Sequence, residues 1–168
     1  MKRQALFLLL VAVVIGVSLY GFSGGEGESF FSRLIRGTVE RRPQLARVEL
    51  GAVQVEAEVA ATPSARSQGL SGRDSLAADA GMLFIFEQPG PHAFWMQGMR
   101  FPIDIIWIND GTVVDVALEV PVPDGLPPLY TPNQFATQVL EVNAGWVAAN
   151  HVTIGSPVTI DFDGFSPS

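Results

Sequence analysis

The sequence predicts an all-β domain, a compact sandwich or barrel, preceded by an N-terminal apolar helix. Three observations predict this fold class. First, about seven short segments rich in β-branched and aromatic residues are separated by turn signals. Second, little of the sequence between these segments suits a helix. Third, one of the turn signals, Asn109-Asp110-Gly111, is typical of a β-hairpin. Hydrophobic residues make up 48% of the 168 residues, which is enough for a packed core.

Residues 1–22 are predicted to be a signal peptide or a signal anchor. Lys2 and Arg3 precede an apolar run over residues 5–22, slightly shorter than the ~20 residues that usually cross a bilayer. No Ala-x-Ala site follows the run, which favours an uncleaved anchor, although Gly21-Phe22-Ser23 is a weaker cleavage option. Because the basic residues would hold the N-terminus in the cytoplasm, we expect the body on the periplasmic or extracellular face. It would be tethered to the inner or plasma membrane through residues 5–22, or secreted after cleavage.

Residues 23–47 are predicted to be a flexible basic linker. They begin with Gly- and Ser-rich sequence and continue as a short basic amphipathic piece, which is either a solvated tether or a segment that lies on anionic headgroups. The β domain is predicted at residues 48–162, followed by a tail at residues 163–168.

The charge is distributed unevenly. Residues 1–47 hold seven basic and three acidic residues, whereas residues 48–168 hold three arginines and fourteen acids. A body this acidic should repel a phosphate backbone, so nucleic acid is not a predicted partner. The chain has no cysteine, which excludes disulfides, cysteine nucleophiles, iron–sulfur clusters and thiolate zinc sites. No cofactor is predicted.

The elements of the β domain can be assigned in order. Residues 53–59 alternate apolar and polar, as in a half-buried strand. Thr62 can then cap a short helix, Pro63 suits its first position and Gly69 suits a left-handed stop. The proline-rich segment at residues 121–133 predicts an irregular loop long enough to cover part of the domain. The other predicted elements are strands at residues 81–86, 92–96, 103–108, 112–120, 136–142 and 156–162, and a short helix within residues 144–151.

Five short motifs occur in an order and spacing that resemble a known family. They are R-x-x-G-L beginning at Arg66, then GMLFIF, FWM, PIDIIWI and LEVNAG. The chain resembles domain of unknown function 192, a family of small, often exported prokaryotic proteins, over roughly residues 48–162. The resemblance implies a jelly-roll-like all-β domain and supplies no activity. The chain departs from the family at Gln97-Gly98-Met99, where a polar turn similar to Lys-Asn-Thr is usual.

Four residues are candidates for ligand binding: Arg66, Arg73, Trp95 and Asp104. The arginines can bind an anionic ligand with their planar guanidinium groups, or they can pair with internal carboxylates such as Asp104 or Glu141. Trp95 is either an aromatic platform for a saccharide or peptide, or an aromatic residue at the rim of the barrel. Asp104 lies in an apolar strand, where it is either a ligand anchor or acid–base group, or a structural hydrogen-bond acceptor.

Two further sets of residues raise alternatives. Asp104 and Glu141 could form a carboxylate pair for glycoside hydrolysis if their side chains converge. His92, Met96 and Met99 have the ligand types that monovalent copper prefers, but the strand spacing separates His92 from Met96 by about 13 Å. We therefore predict no metal site, and we expect Met96 to pack in the core.

Three functional hypotheses follow. The first is an exported, membrane-tethered, non-catalytic ligand-binding or envelope-accessory domain, whose anionic or saccharide ligand lies beneath the proline-rich loop. The second is an envelope polysaccharide hydrolase that uses Asp104 and Glu141. The third is a purely structural interaction module. No nucleophile-elbow, zinc-protease, phosphate-loop or dinucleotide motif is found in the sequence.

Overall fold

The all-β prediction is confirmed by a computed structural model, which describes residues 44–162. The leader, all but four residues of the predicted linker and the tail lie outside these residues. No helix within the described range is long and apolar enough to cross a membrane. The described elements are β1 (Leu45–Leu50), β2 (Val53–Ala60), α1 (Pro63–Gln68), β3 (Ala80–Gly90), β4 (Phe94–Trp95), β5 (Ile103–Asn109), β6 (Thr112–Val120), β7 (Leu129–Tyr130), β8 (Ala136–Asn143), α2 (Trp146–Ala149) and β9 (Val158–Asp161).

Seven strands form one sheet that curls into a half-barrel, in the order β6-β5-β8-β3-β2-β1-β9. Within it β2 and β3 are parallel, and the other neighbouring strands are antiparallel. The remaining strands, β4 and β7, form a separate two-stranded sheet. The prediction of short strands with one or two helical turns is therefore confirmed, with α1 and α2 as the helical turns.

Both faces of the central strands are covered by apolar side chains. On β5, Ile106 and Ile108 belong to one buried cluster, whereas Ile105 and Trp107 belong to another. Successive side chains of a strand point to opposite faces, so the two clusters lie on opposite sides of the sheet. This arrangement explains why the β5 sequence is a continuous apolar run and not an alternating pattern.

The predicted turn and capping residues act as expected. Thr62 accepts a hydrogen bond from the Ala65 N–H (3.2 Å), Pro63 begins α1, and Gly69 ends it at a φ of +50°. Asp110 and Gly111 both have positive φ between the antiparallel strands β5 and β6, as the hairpin signal predicted.

Two strands were missed by sequence reasoning. Strand β1 starts at Leu45, three residues before the predicted boundary of the domain, in a segment that its basic residues had assigned to the linker. The second is β7, which lies inside the proline-rich segment predicted to be irregular. Its Leu129 pairs with Trp95 of β4, so this segment runs beside Trp95.

Candidate functional site

A cavity of about 280 Å³ lies beside α1 and β4, and its walls are largely aromatic. We call it the aromatic cavity. Its volume is close to the lower end of the usual range for small-molecule sites, about 300 Å³. Its lining residues are Arg66, Ser67, Phe84, Phe86, His92, Ala93, Phe94 and Trp95.

A smaller space of about 30 Å³, which we call the inner compartment, shares five lining residues with the aromatic cavity. Its additional lining comes from residues 68–71, Met99 and Glu141. A space of this size can hold one or two water molecules or a comparable group of a ligand. The two spaces adjoin and form one candidate site.

Arg66 is fixed at this site by the backbone. One of its terminal nitrogens, Nη1, donates hydrogen bonds to the carbonyl oxygens of Ala61 (2.5 Å) and Ile85 (2.9 Å). Its guanidinium carbon lies 5.1 Å from the centre of the Phe86 ring, within the range of a cation–π interaction. No carboxylate pairs with Arg66 within residues 44–162, so no ion pair occupies its remaining N–H donors.

The aromatic walls are held by contacts among themselves. His92 stacks on Phe86 with ring centres 3.5 Å apart, and Phe94 meets Phe84 edge to face at 4.8 Å. The buried Trp107 donates its indole N–H to the His92 carbonyl (2.9 Å). Trp95 is 56% exposed at the same cavity. The site therefore combines a rigid aromatic wall with one large aromatic side chain open to solvent.

Glu141 is the buried titratable residue of the inner compartment. It lies on β8 between Met82 of β3 and Ile105 of β5, and only 5% of the residue is exposed. Its Oε2 atom is buried and accepts no hydrogen bond from any described residue. Burial raises the pKa of the Glu141 carboxyl group to about 8 because the charged form loses its hydration. Glu141 is therefore mainly protonated at neutral pH.

Asp104 lies on the other face of the sheet, fully buried. Its Oδ1 accepts hydrogen bonds from the N–H groups of Glu119 (2.7 Å) and Gly145 (3.2 Å), and its Oδ2 accepts one from Val147 (2.9 Å). These contacts cap the start of α2 and hold a bulge in β6, where Glu119 has a φ of +47°. The interpretation of Asp104 as a structural acceptor is confirmed, and the prediction that an arginine pairs with it is wrong.

Arg73 is paired with a carboxylate that the sequence analysis did not consider. Its two terminal nitrogens contact the two oxygens of Glu58 at 2.5 and 2.7 Å. The hydrogen bond from Arg73 lowers the pKa of the Glu58 carboxyl group. Arg73 does not line the aromatic cavity or the inner compartment. Of the four predicted ligand-binding residues, the structure thus brings together Arg66 and Trp95, and not Arg73 or Asp104.

The carboxylate pair required by the hydrolase hypothesis is not formed. Glu141 lies opposite Ile105, whereas Asp104 lies opposite Val142, so the two side chains point to opposite faces of the sheet. Both are buried, and they do not converge on a common cleft. The prediction of a site with Asp104 and Glu141 acting together is therefore wrong.

The residues considered for copper do not form a cluster of ligands. Met96 and Met99 are buried in the apolar core, as expected for Met96, while His92 stacks on Phe86 in the aromatic cavity. The Nε2 atom of His92 lies 3.1 Å from the Gln88 carbonyl oxygen and can donate to it. Within residues 44–162 no group of three histidine, aspartate or glutamate side chains is arranged to hold a metal ion.

Sequence reasoning missed much of the cavity wall. The predicted strand at residues 81–86 includes Phe84 and Phe86 but assigns them no role in a site; in the structure β3 continues to Gly90 and Phe86 is only partly buried. Ser67 belongs to the segment R-x-x-G-L, in which only Arg66 was considered. The sequence signal that could have indicated this wall is the joint occurrence of three motifs, R-x-x-G-L, GMLFIF and FWM, since each contributes lining residues.

A second cavity of about 360 Å³ lies beside β2 and residues 77–81. It contains Glu56, Glu58 and Asp79, and neither aromatic nor basic side chains line it. Because Glu58 is already paired with Arg73 and no metal-binding arrangement is found in the described range, this cavity is the weaker candidate.

Comparison with known proteins identifies the family. The model of DUF192, described as an uncharacterized ACR, matches residues 46–160, more than half of the chain. The chain belongs to the DUF192 family. The match confirms the resemblance based on the five motifs, and it includes every lining residue of the candidate site.

Two solved structures are similar to this DUF192 protein. One, described as a candidate transcription regulator from Sinorhizobium meliloti 1021, is 31% identical, with a TM-score of 0.62, covering 70% of this chain and 93% of that one. The other, a protein of unknown function from Novosphingobium aromaticivorans, is 26% identical, with a TM-score of 0.61, covering 68% of this chain and 83% of that one. No curated protein matches the chain.

Proposed function

We propose that this DUF192 protein is an exported, membrane-tethered, non-catalytic domain that binds a small-molecule ligand in the aromatic cavity. In this proposal residues 5–22 form an apolar helix that holds a jelly-roll-like domain at the outer face of the membrane. The observation that carries the binding function is the convergence of Arg66, the exposed Trp95 and the buried Glu141 on the inner compartment, which adjoins the aromatic cavity. An apolar pocket with a few converging polar groups is the usual form of a ligand site.

The exposed aromatic surface supports ligand binding. Trp95 and its cross-strand partner Leu129 are 56% and 66% exposed, although both are large apolar side chains. Exposure of neighbouring apolar side chains at a cavity mouth is a common mark of a binding surface.

The proline-rich segment beside Trp95 is held in place at its end. The Asp115 carboxylate accepts hydrogen bonds from the backbone and the side chain of Asn133 and so fixes the end of this segment.

Sequence features support export and tethering. The basic start, the apolar run at residues 5–22 and the lack of cysteine suit a protein outside the cytoplasm. The DUF192 family, which the five motifs resemble, consists of proteins that are often exported.

The chemistry of the cavity supports binding without catalysis. Ser71 donates its hydroxyl to the Gln97 carbonyl (2.6 Å), and His92 lies against the Phe86 ring. No nucleophile is hydrogen-bonded to a general base in the part of the chain that the structure describes, an arrangement that nucleophilic catalysis needs.

DNA binding is not proposed, although one similar protein is described as a candidate regulator. Of the arginines at residues 48–168, Arg73 and Arg100 are paired with Glu58 and Asp74. Fourteen acids in the same range would repel a phosphate backbone.

A ligand screen that follows tryptophan fluorescence tests the proposed function. Ligands that cover the exposed Trp95 should change the emission saturably, since Trp107 is buried and the half-buried Trp146 packs against the other core cluster. Affinities of the variants are measured by titration calorimetry, since Trp95→Ala removes the fluorescent reporter, and binding should weaken at least tenfold in Trp95→Ala and Arg66→Ala. Leu126→Ala and Arg100→Ala are matched controls, because these exposed residues lie outside the cavity lining. Absence of saturable binding across the library, or equal affinity in all four variants, would contradict the proposal.

An interaction module is a second candidate, which the exposed pair Trp95 and Leu129 favours. Its partner would cover this pair without entering the inner compartment. A partner that protects both side chains from solvent, and binds equally well when Glu141 is replaced, would support this function over a small-molecule site.

A further inference from the structure

We propose that the Glu141 carboxyl group recognises the ligand at the inner compartment, and that the ligand is an uncharged polyhydroxylated molecule of the saccharide class. One ligand hydroxyl would enter the inner compartment, while a sugar ring packs on the aromatic wall. This inference rests on the proposed function, because it names the ligand chemistry of the same cavity.

The first observation is the unsatisfied oxygen of Glu141. Most buried polar side-chain atoms in proteins have a hydrogen-bond partner, and those without one call for an explanation. Within residues 44–162 only two buried side-chain atoms lack a partner, Glu141 Oε2 and Asn109 Oδ1. Asn109 lies at a hairpin turn, where its amide donates to Asp110. Glu141 instead lines the inner compartment, so its missing partner can come from a ligand group that enters this space.

The size and chemistry of the compartment select a hydroxyl group. About 30 Å³ accommodates an oxygen with its hydrogen-bonding surroundings, and not a whole ring. A carboxylic acid offers one O–H donor and an acceptor, and a hydroxyl offers the same pair in return. The raised pKa of Glu141 supports this match, since the proton remains on the carboxyl group near neutral pH.

A cationic ligand fits the cavity poorly. The guanidinium of Arg66 already lies over the Phe86 ring, in the position that a ligand cation would take. A second positive charge in the same cavity would be repelled by Arg66.

An anionic ligand is also disfavoured. Burial of a charge costs much more than burial of a hydroxyl unless the charge is well paired. Nη1 of Arg66 is already used by the carbonyls of Ala61 and Ile85. The many acids of the body would further reduce the local concentration of an anion.

The aromatic wall supplies the second half of a saccharide site. The apolar C–H face of a sugar ring can pack on an exposed indole, as amphipathic aromatic side chains do at wet interfaces. Trp95 and Phe94 line both the aromatic cavity and the inner compartment. One ligand can therefore contact them while it reaches Glu141.

The experiment uses the full chain in a detergent without a sugar headgroup and measures binding by titration calorimetry. The probes are maltotriose, xylotriose and tri-N-acetylchitotriose, with trigalacturonate as the charged comparison. At least one neutral probe should bind, and its affinity should fall about tenfold in Glu141→Met at pH 6. Glu141→Gln, whose amide keeps a donor and an acceptor, should stay within about threefold of the wild type. Thermal unfolding of each variant confirms that it is folded.

A pH series gives a second readout that does not depend on Glu141→Met. Wild-type affinity for the neutral probe should fall as pH rises through 8, whereas Glu141→Gln should lack this part of the pH dependence. The other charged or titratable groups on this face include Arg66, His92, Glu56, Tyr130 and the Glu58–Arg73 pair. Because they remain in Glu141→Gln, its residual pH dependence measures their contribution.

The outcomes separate this inference from the proposed function. Neutral-probe binding that depends on Trp95 and is unchanged in Glu141→Met would overturn the role of Glu141 and leave the binding function intact. Binding of trigalacturonate alone would overturn the ligand class. Failure of every probe together with failure of the wider ligand screen would overturn both proposals.

Discussion

Asp104 and Glu141 are both buried carboxyl groups on neighbouring strands, but their surroundings differ. Asp104 accepts three backbone hydrogen bonds on one face of the sheet, whereas no described residue donates to Glu141 Oε2 on the other. Asp104 thereby joins β5 to β6 and α2. Glu141 joins no elements through its carboxyl group and lines a cavity instead. Burial alone therefore does not show that a carboxyl group is structural; its hydrogen-bond partners do.

The difference follows from the position of each residue in the sheet. Ile105 lies opposite Glu141, and Asp104 lies opposite Val142, so a shift of one residue moves a side chain to the other face. On the Asp104 face, the segment that begins α2 supplies N–H groups at a helix start, which need acceptors. On the Glu141 face, the neighbouring side chains are largely apolar.

The largest effect is expected from Asp104→Ala. The variant leaves three N–H groups without their acceptor, one at a buried and two at partly buried hydrogen bonds, and a buried unpaired group costs about 1–3 kcal/mol. We expect the free energy of unfolding to fall by about 3 kcal/mol or more, measured by urea denaturation followed by circular dichroism. Asp124→Ala, in the exposed proline-rich segment, is the control and should change stability by less than about 0.5 kcal/mol. A small loss in Asp104→Ala would mean that Asp104 is not a structural acceptor.

Glu141→Gln should have an effect of opposite sign that depends on pH. The folded-state pKa of about 8 lies above the ordinary value of 4.5, so the wild type loses stability as pH rises from about 4.5 to about 8. The slope is at most about 1.4 kcal/mol per pH unit. The variant lacks this loss and should be the more stable protein at pH 8, with little difference near pH 4. Urea unfolding at several pH values measures this gain.

Glu56→Gln is the matched control for that experiment, since Glu56 is an exposed glutamate of β2. Its difference from the wild type should change little with pH. If the stability difference between Glu141→Gln and the wild type is also independent of pH, Glu141 is ionised in the folded state. Glu141 would then not differ from Asp104 in the way described above.

The smallest effect is expected from Arg73→Ala, which removes the partner of a third, partly exposed carboxylate, Glu58. Solvent screens such a pair, so the loss should be about 1 kcal/mol or less. Because the pKa of Glu58 is lowered in the folded state, this contribution is present above its unfolded pKa and is lost as pH falls towards acid. The difference between Arg73→Ala and the wild type should thus shrink on acidification. A difference that grows at low pH would contradict the role of the pair.

Much of the fold could be predicted from local patterns. The hairpin at Asp110 and Gly111, and the caps of α1 at Thr62 and Gly69, depend on residues close in sequence. Strand β1 could also have been found, because Ala46, Val48 and Leu50 alternate with exposed residues. It was missed because the basic character of the preceding linker was given more weight than this alternation.

The candidate site could be predicted only in part. Arg66 and Trp95 were identified from their chemistry, but the partners of Asp104 lie 15 to 43 residues away and are backbone groups, which carry no sequence signal. The opposite facing of Asp104 and Glu141 depends on the register between β5 and β8. Neither strand alone determines that register, so the paired-carboxylate hypothesis could not be rejected before the structure.

The most direct test of this account is the titration of the Glu141 carboxyl group by NMR, with carbon-13 in the glutamate side chains and Glu141→Gln to assign the signal. Burial without a hydrogen-bond partner predicts a midpoint near pH 8. A midpoint near the ordinary glutamate value of 4.5 would contradict this interpretation, because Glu141 would then be an ionised, solvated group and not a buried, protonated acid.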